Sequence, residues 1–207
     1  MQADNIGFWR RFARHYDGFM ARFLPDYGDV VDRLIWDVPY AEHLLEVATG
    51  TGTIALALAR KVQTVDAVDI APEMIEIARR KAVQERITNV TFTVQNAYDL
   101  EFEGGRVDVV LCVNSLHVMK APQRALEQIH RVLKPDGTLF ALSYCHGENL
   151  RSRIASAVVS LAGFRAYQKF TVKSFTELIG HSGFVVVNED VFRGTPPLAY
   201  VTAQRVS

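Results

Sequence analysis

The stretch that decides the fold is Leu44-Leu45-Glu46-Val47-Ala48-Thr49-Gly50-Thr51-Gly52-Thr53. It begins as a short apolar run typical of a buried strand, and two glycines separate this run from a second one that is typical of a helix. Glycines at a strand-to-helix turn let a ligand approach the backbone closely and leave the first helical N–H groups free to bind it. The stretch therefore predicts a nucleotide-type site at the carboxyl edge of a parallel sheet.

The sequence after this turn alternates between predicted strands and predicted helices. Apolar runs typical of buried strands cover residues 62–69, 90–94, 107–113 and 138–143. Helical periodicity covers residues 53–61, 73–85 and 121–133, and a turn at 134–137 is expected to close the last of these helices. Pro72 stands where a first helical residue is expected, because a missing N–H costs nothing there. Strands that alternate with helices imply a parallel sheet with helices on both faces.

Both ends of the chain depart from this alternation. Aromatic residues recur at three- and four-residue spacing over residues 8–23 and predict an amphipathic helix, which a second helix at 29–36 follows. Beyond residue 143 we expect helices at 149–162 and 174–182 and strands at 184–192 and 199–205. The turn at 194–197 is too short for a crossover, so the last two strands must pair antiparallel. The predicted fold class is α/β, a doubly wound sheet of seven mostly parallel strands with an antiparallel C-terminal hairpin.

Composition and charge narrow the class of protein. A chain of 207 residues with 49% hydrophobic and 22% charged residues is expected to form a single domain, residues 1–207. Its 23 basic and 23 acidic residues give no net charge, which argues against nucleic acid as a partner. Two cysteines without a CxxC pair, scattered histidines, no secretory signal and no transmembrane segment predict a cytoplasmic protein without a metal site.

The glycine turn satisfies the pattern of a second class of protein. It reads Gly50-x-Gly52-x-x-Ala55, and Asp69 ends the next predicted strand at about the distance expected for a ribose-binding acid in dinucleotide enzymes. On this turn alone, an NAD-dependent oxidoreductase therefore remains an alternative.

Three motifs together favour another family. The turn resembles an acid followed by Gly-x-Gly-x-Gly, with Glu46 as the acid, and the run Asp69-Ile70-Ala71-Pro72-Glu73-Met74 resembles the same family's second strand end. The run at 131–139, Arg-Val-Leu-Lys-Pro-Asp-Gly-Thr-Leu, resembles the segment before its fifth strand. From residue 44 to 143, and more loosely at 183–204, the chain is similar to class I S-adenosylmethionine-dependent methyltransferases. It is nearest to their ubiquinone/menaquinone-biosynthesis-like (type 11) group.

The resemblance implies a Rossmann-like fold, an enzyme that transfers a methyl group, and a cofactor site. Asp69 would accept hydrogen bonds from both ribose hydroxyls, Gly50 and Gly52 would border the methionine moiety, and Glu46 would hold either the loop or the ammonium group. Other contacts would come from Tyr16, Ile70, Met74, Asn96, Ala97 and Asn114. Ala48 replaces the first glycine of the motif, and because it ends the strand we expect it to adopt a negative φ.

The resemblance leaves the acceptor open. The run Asn114-Ser115-Leu116-His117 is not the Asn/Asp-Pro-Pro-Tyr type that binds a planar base nitrogen, which argues against nucleic-acid amines. Weak acceptors such as phenols need a base to remove their proton. His117, Tyr144 and His146 are the candidate catalytic residues, and for each a purely structural role remains open.

Two helical segments are expected to cover the site, an N-terminal lid at 1–40 and an insertion at 145–175 above the substrate. Their aromatic residues would suit a small apolar or aromatic acceptor, or would simply pack in the core: Phe12, Tyr16, Phe19, Phe164, Tyr167 and Phe170. A non-catalytic protein that binds S-adenosylmethionine remains a further alternative, because Ala48 and Asn96 depart from the family pattern. The sequence does not specify an oligomeric state.

Overall fold

Seven strands form one sheet in the computed structural model, which describes residues 5–23, 27–161 and 165–206. The strands are His43–Val47 (β1), Thr64–Asp69 (β2), Val90–Val94 (β3), Val107–Val113 (β4), Leu133–Tyr144 (β5), Phe184–Phe192 (β6) and Leu198–Arg205 (β7). Their order is β3-β2-β1-β4-β5-β7-β6, and only β7 runs antiparallel to its two neighbours. The predicted fold class, including the C-terminal hairpin, is confirmed.

Seven helices accompany the sheet in the described ranges: Ile6–Phe23 (α1), Tyr27–Asp37 (α2), Thr53–Leu58 (α3), Pro72–Glu85 (α4), Pro122–Val132 (α5), Leu150–Leu161 (α6) and Val172–His181 (α7). A 3₁₀ turn, Leu116–Val118, follows β4. Proline begins both α4 and α5, where its fixed φ suits a first helical residue. In the part of the chain that the structure describes, no helix has the length and apolarity needed to cross a bilayer.

Each face of the sheet is buried under its own layer of helices. One core joins side chains of α2, α3 and α4 to the sheet, among them Leu34, Ile54 and Ile75. The opposite core joins side chains of α5 and α7, among them Ile129 and Phe175. Because both faces are covered, the central strands consist of nearly continuous apolar residues instead of alternating ones.

The order of the strands determines where a ligand can bind. From β1 the chain crosses to β2 on one side, and β4 lies on the other side of β1, so the carboxyl ends of β1 and β4 border a crevice at this switch point. The antiparallel β7 lies between β5 and β6, whereas the dinucleotide-binding fold has the order 3-2-1-4-5-6. This insertion argues against the oxidoreductase alternative.

The predicted turn at 134–137 lies inside β5 instead of before it. Residues 134–137 form a bulge between the pairs Val107–Leu133 and Val109–Thr138, and Asp136 has a φ of 61° there. The Lys134 ammonium group lies 2.5 Å from a carboxylate oxygen of Asp108 on β4, so a tertiary ion pair holds the segment against its neighbour. The structure also ends α3 at Leu58, earlier than predicted, and residue 162, the predicted end of α6, lies outside the described residues.

The predicted negative φ of Ala48 is wrong, because the structure gives this residue a φ of 60°. The backbone bends sharply after β1 so that the next N–H, that of Thr49, donates to the carbonyl of Val68 at 2.9 Å. A left-handed backbone costs an L-residue about 1–2 kcal/mol relative to glycine, which explains why glycine suits this position in the motif.

Ala48→Gly is therefore expected to raise the free energy of unfolding by about 0.5–1 kcal/mol, since relief of backbone strain exceeds the entropy that glycine adds to the unfolded chain. Urea denaturation measures this change. The matched control is Ala57→Gly inside α3, which should lower stability by about 1 kcal/mol. A loss of stability in both variants would contradict the strain at Ala48.

Candidate active site

A cleft opens at the switch point of the sheet and contains about 770 Å³ of space, including the part open to solvent. Nine of the predicted cofactor residues line it: Tyr16, Ala48, Gly50, Asp69, Ile70, Met74, Asn96, Ala97 and Asn114. Glu46 and Gly52 do not line the cleft. The fold thus brings together residues from α1, from the ends of four strands and from α4.

Glu46 lies beneath the glycine turn. Its side chain is 2% exposed, and one carboxylate oxygen accepts hydrogen bonds from the Thr49 hydroxyl at 2.5 Å and from the Ala55 N–H at 3.0 Å. The carboxylate therefore fastens the turn to the first turn of α3. Of the two roles that the sequence left open, the structure shows the holding of the loop.

Gly52 does not line the cleft but lies where α3 packs against its neighbours. Its φ is 77°, and a Cβ atom there would lie 2.8 Å from the Phe92 ring and 2.9 Å from the Cβ of Ala78. A missing side chain thus lets α3 begin close to β3 and α4. Gly50 borders the cleft and Gly52 does not, so a contact of Gly52 with the ligand stays a prediction.

Asp69 joins the glycine turn to the start of α4. One carboxylate oxygen accepts from the Gly50 N–H at 2.9 Å and the other from the Ala71 N–H at 2.8 Å. Burial raises the pKa of Asp69, and these backbone donors partly oppose the rise. Each carboxylate oxygen can accept a further hydrogen bond, so Asp69 can also serve a ligand in the cleft.

Tyr16 covers the turn from the side of α1. Its ring lies 3.5 Å from the place where a Cβ of Gly50 would be, which is van der Waals contact, so the phenol packs directly over the Gly50 backbone. Burial first, and then the nearby carboxylates of Asp69 and Glu46, raise the pKa of Tyr16 above its ordinary value. The phenol therefore remains neutral and able to donate a hydrogen bond.

Asp17, which the sequence did not single out, attaches α1 to this turn. The Thr51 hydroxyl donates to one oxygen of Asp17 at 2.5 Å, and the ammonium group of Lys81 lies 2.6 Å from the other. Lys81 also donates to the Thr51 hydroxyl at 3.1 Å. This network links α1, the glycine turn and α4. The sequence gives one indication of a role for Asp17, namely that it directly follows the predicted cofactor residue Tyr16.

Asn114 ends β4 with a φ of 54° and lines the cleft. Both polar atoms of its side-chain amide are buried, and neither has a hydrogen-bond partner among the described residues. Buried amides are nearly always hydrogen-bonded in native proteins, so this side chain calls for a polar ligand or water. Asn96 differs, because its side-chain oxygen accepts from the Tyr98 N–H at 3.0 Å and shapes its own loop.

The three predicted catalytic side chains meet beside the cleft. The ring centre of His117 is 5.2 Å from that of His146 and 6.4 Å from that of Tyr144. Ser115 of the same loop lines the cleft, and the 3₁₀ turn then places His117 behind it. The hydroxyl of Ser143 lies 3.3 Å from Nδ1 of His117.

Burial keeps both histidines neutral. It lowers the pKa of His117 to about 3, assisted by His146, and that of His146 to about 4, assisted by Lys169. Neutral imidazoles carry one lone pair that can accept a proton. With pKa values this low the two imidazoles are weak bases, so either would act as a base only where a bound acceptor raises its pKa.

The predicted lid aromatics separate into different environments. Phe12 packs between Phe8 and Phe19 along α1, with ring centres 5.3 Å apart in both pairs. Phe170 lies in the sheet core against Phe175, so core packing is the correct interpretation for this residue. Lys120 lies over the Tyr167 ring, and Phe164 is outside the described residues.

The sequence missed eight residues that line the cleft: Trp9, Val68, Gln95, Tyr98, Val113, Ser115, Val118 and Met119. Trp9 had a usable signal, since it precedes Tyr16 by two helical turns and so shares its face of α1. Val68 and Val113 lie in the last residues of β2 and β4 towards the cleft, and the other five follow β3 or β4, whose exact ends the apolar pattern does not specify.

Comparison with known proteins agrees with this geometry. A family described as a methyltransferase domain matches residues 44–137. The ubiquinone/menaquinone biosynthesis C-methyltransferase UbiE of Zymomonas mobilis is 27% identical over 166 residues, which cover 71% of this chain and 69% of that protein. The demethylmenaquinone methyltransferase of Thermus thermophilus is 36% identical over 105 residues, which cover 50% of this chain and 47% of that protein.

Solved structures share the fold. A chain in the complex of the Haloferax volcanii Trm112 methyltransferase activator with a methyltransferase superposes with a TM-score of 0.80 at 19% identity, over 100% of both chains. The YcgJ protein of Bacillus subtilis superposes with a TM-score of 0.73 at 15% identity, over 87% of this chain and 97% of that one. Residues 44–137 therefore match a methyltransferase domain in sequence, and the whole chain shares the fold of these solved structures. The cleft occupies the carboxyl end of the sheet, between the glycine turn and the loop after β4.

The buried Glu46 makes the stability of the protein depend on pH. Burial raises its pKa from 4.5 to about 7, so the folded state holds a proton that the unfolded chain releases in that window. As pH rises from about 4.5 to about 7, this carboxyl therefore lowers stability, by at most about 3 kcal/mol. Glu46→Gln removes the effect, so the stability of the variant relative to the original protein should increase across the window.

Urea denaturation at several pH values measures this difference. The control is Glu127→Gln, an exposed position on α5, for which the two stability curves should run parallel. Parallel curves for Glu46→Gln as well would show that Glu46 is ionised in the folded protein throughout the window.

Proposed function

We propose that the protein binds S-adenosylmethionine in the cleft and catalyses methyl transfer to a small-molecule acceptor. The observation that carries this proposal is the convergence of Asp69, the bare backbone of Gly50 and the unsatisfied amide of Asn114 on one cleft. When bound, S-adenosylmethionine supplies an already activated methyl group. The protein then has to align the acceptor and exclude water.

The lining of the cleft fits this cofactor by chemistry. Asp69 would accept hydrogen bonds from vicinal ribose hydroxyls, while Ile70 and Met74 offer an apolar wall for the adenine. Asn114 would satisfy its amide on the polar amino-acid end, where Tyr16 covers the glycine turn. The Asn96–Ala97 loop would border the adenine edge.

Of the two alternatives, the inserted β7 argues against a nicotinamide enzyme, as described above. A non-catalytic binding protein would keep the cleft but would have no use for two buried, neutral histidines beside it. The cluster of His117, Tyr144 and His146 therefore supports an enzyme.

The chemistry of this cluster favours an acceptor whose proton must be removed. We propose that Nδ1–H of His117 donates to the Ser143 hydroxyl and that its Nε2 lone pair takes the proton of the acceptor. Relatives are named as C-methyltransferases and O-methyltransferases of quinone biosynthesis, and a phenol or an activated ring carbon meets the same requirement. The acceptor would thus be small and apolar or aromatic.

The domain organisation belongs to the same proposal. Residues 1–40 would close over the cofactor and residues 145–175 over the acceptor, within one cytoplasmic domain. The support for the first part is that Trp9 and Tyr16 of α1 line the cleft and that Asp17 holds α1 to the glycine turn.

Asp69→Ala tests the cofactor site. Loss of the carboxylate is expected to weaken the binding of S-adenosylmethionine at least about tenfold, equivalent to about 1.4 kcal/mol. The ribose loses its hydrogen-bond acceptor, and the Gly50 N–H loses the carboxylate that holds it. Calorimetry with S-adenosylmethionine, and with NADH as the comparison ligand, measures the affinity. Asp66→Ala, three residues earlier on β2 and paired with His43, should bind as the original protein does. Unchanged affinity in Asp69→Ala, or tighter binding of NADH, would contradict the assignment.

His117→Ala tests the base. Turnover should fall about 10²–10⁴-fold while the affinity for S-adenosylmethionine changes less than about twofold, because a base acts on the acceptor. The assay measures S-adenosylhomocysteine formed from a panel of phenols, quinols, thiols and amines. His181→Ala at the exposed end of α7 is the control.

The pH profile adds an independent criterion. With pKa values of about 3 and about 4, the histidines remain deprotonated, so turnover should not fall between pH 8 and pH 5 through their protonation. A decline centred near pH 6.5 would assign the base to a histidine with an ordinary pKa. No product from any acceptor would favour the non-catalytic alternative.

A further inference from the structure

A second cleft lies between α1 and α4, on a different face of α1 from the candidate active site. It contains about 1110 Å³ of space, including the part open to solvent. Its charged lining consists of Arg10, Arg11 and Arg14 from α1 together with Glu73, Glu76 and Arg80 from α4. Trp9 and Tyr16, which line the active-site cleft, are absent from this lining. The function proposed above uses none of these six side chains.

The charges in this cleft do not balance. Four arginines oppose two glutamates, although the whole chain has no net charge. Arg10 is paired with Glu73, with 2.7 Å between Nε and the carboxylate oxygen. Within the described ranges, neither Arg11, Arg14 nor Arg80 forms an ion pair or a side-chain hydrogen bond. These three guanidinium groups are exposed, so water screens their mutual repulsion, and their N–H groups remain accessible to an anion that enters the cleft.

The geometry of the arginines fits an anion with several oxygens. Arg14 lies one turn beyond Arg10 on α1, and Arg80 lies on the facing helix, so guanidinium groups approach the cleft from both sides. The Nη1 atom of Arg11 lies 3.8 Å from the place where a Cβ of Gly7 would be, so this side chain folds back along α1 towards the same cleft. Guanidinium groups bind phosphate oxygens in pairs of parallel hydrogen bonds.

We propose that this cleft is a binding site for a phosphate-bearing anion, held by Arg11 and Arg14 of α1 and by Arg80 of α4. The same chemistry could come from a free phosphate compound or from a lipid headgroup. Either source would neutralise the three unpaired guanidinium groups and connect the two helices.

Such a connection would affect the active-site cleft. The anion would hold α1 against α4, and α1 carries Trp9 and Tyr16 into that cleft while α4 carries Met74. Binding at one site would therefore favour binding at the other, and the effect must be reciprocal. This coupling rests on the proposed function, whereas binding of the anion does not.

Titration calorimetry with pyrophosphate, at constant low ionic strength and without S-adenosylmethionine, tests the site directly. The double variant Arg14→Ala/Arg80→Ala should bind pyrophosphate at least about tenfold more weakly. Because neither side chain has an ion pair among the described residues, the variant should fold, and its thermal denaturation without ligand checks this. The matched control, Arg60→Ala/Arg193→Ala, removes two exposed arginines elsewhere and should bind as the original protein does.

Co-sedimentation with phosphatidylglycerol vesicles, compared with phosphatidylcholine vesicles, distinguishes the two sources. Binding to phosphatidylglycerol that needs Arg14 and Arg80 supports a headgroup, and binding to pyrophosphate alone supports a free phosphate compound. The proposal is overturned if neither probe binds, or if the double variant binds as well as the control. Pyrophosphate that binds without changing the affinity for S-adenosylmethionine would refute the coupling and leave the anion site standing.

Discussion

Two buried carboxylates hold the glycine turn, and the remainder of the site depends on this constraint. Glu46 binds the turn from below, through Thr49 and Ala55, and Asp69 binds it from the side, through the Gly50 N–H. Three residues of the turn adopt left-handed backbone: Ala48 at 60°, Gly50 at 57° and Gly52 at 77°. Glycine adopts this region freely, so the strain lies at Ala48, where it persists only because the surroundings fix it. The hydrogen bonds of the two carboxylates hold the backbone of the turn in this conformation. The turn then presents a concave stretch of backbone to the cleft.

The alternation of apolar runs was sufficient to predict the sheet, because strands buried on both faces and amphipathic helices each leave a local pattern. It failed where a tertiary contact overrides that pattern. Residues 134–137 contain proline and glycine and so predict a turn, yet the bulge they form is flanked by pairing with β4 and by the ion pair between Lys134 and Asp108. The φ of Ala48 could not be predicted either, because the turn that contains it also pairs with the neighbouring strand, through the Thr49 N–H and the Val68 carbonyl.

The same distinction applies to the candidate site. Motif positions such as Asp69 and Asn114 could be predicted, since the carboxyl ends of parallel strands always meet at one edge of the sheet. The packing of Gly52 could not be predicted, because a motif does not show on which side of the backbone a neighbour lies, and here Phe92 and Ala78 lie where a Cβ would be. The amphipathic pattern of α1 predicted a helix but not its partner, which the contacts of Asp17 with Thr51 and Lys81 determine.

Burial has opposite consequences at the two ends of the site. It raises the pKa of Glu46 and Asp69, and it lowers the pKa of His117 and His146. In each case burial disfavours the charged form of the group. A neutral Glu46 costs the turn little, because its oxygen still accepts from Thr49 and Ala55. Neutral histidines still carry a lone pair. As the pH falls, however, the folded protein loses stability, because the histidines of the unfolded chain take up protons at a higher pH than the buried ones do. Burial therefore makes the fold sensitive to acid beside the cleft and also makes its imidazoles weaker bases, so a role as a base requires a bound acceptor that stabilises the imidazolium.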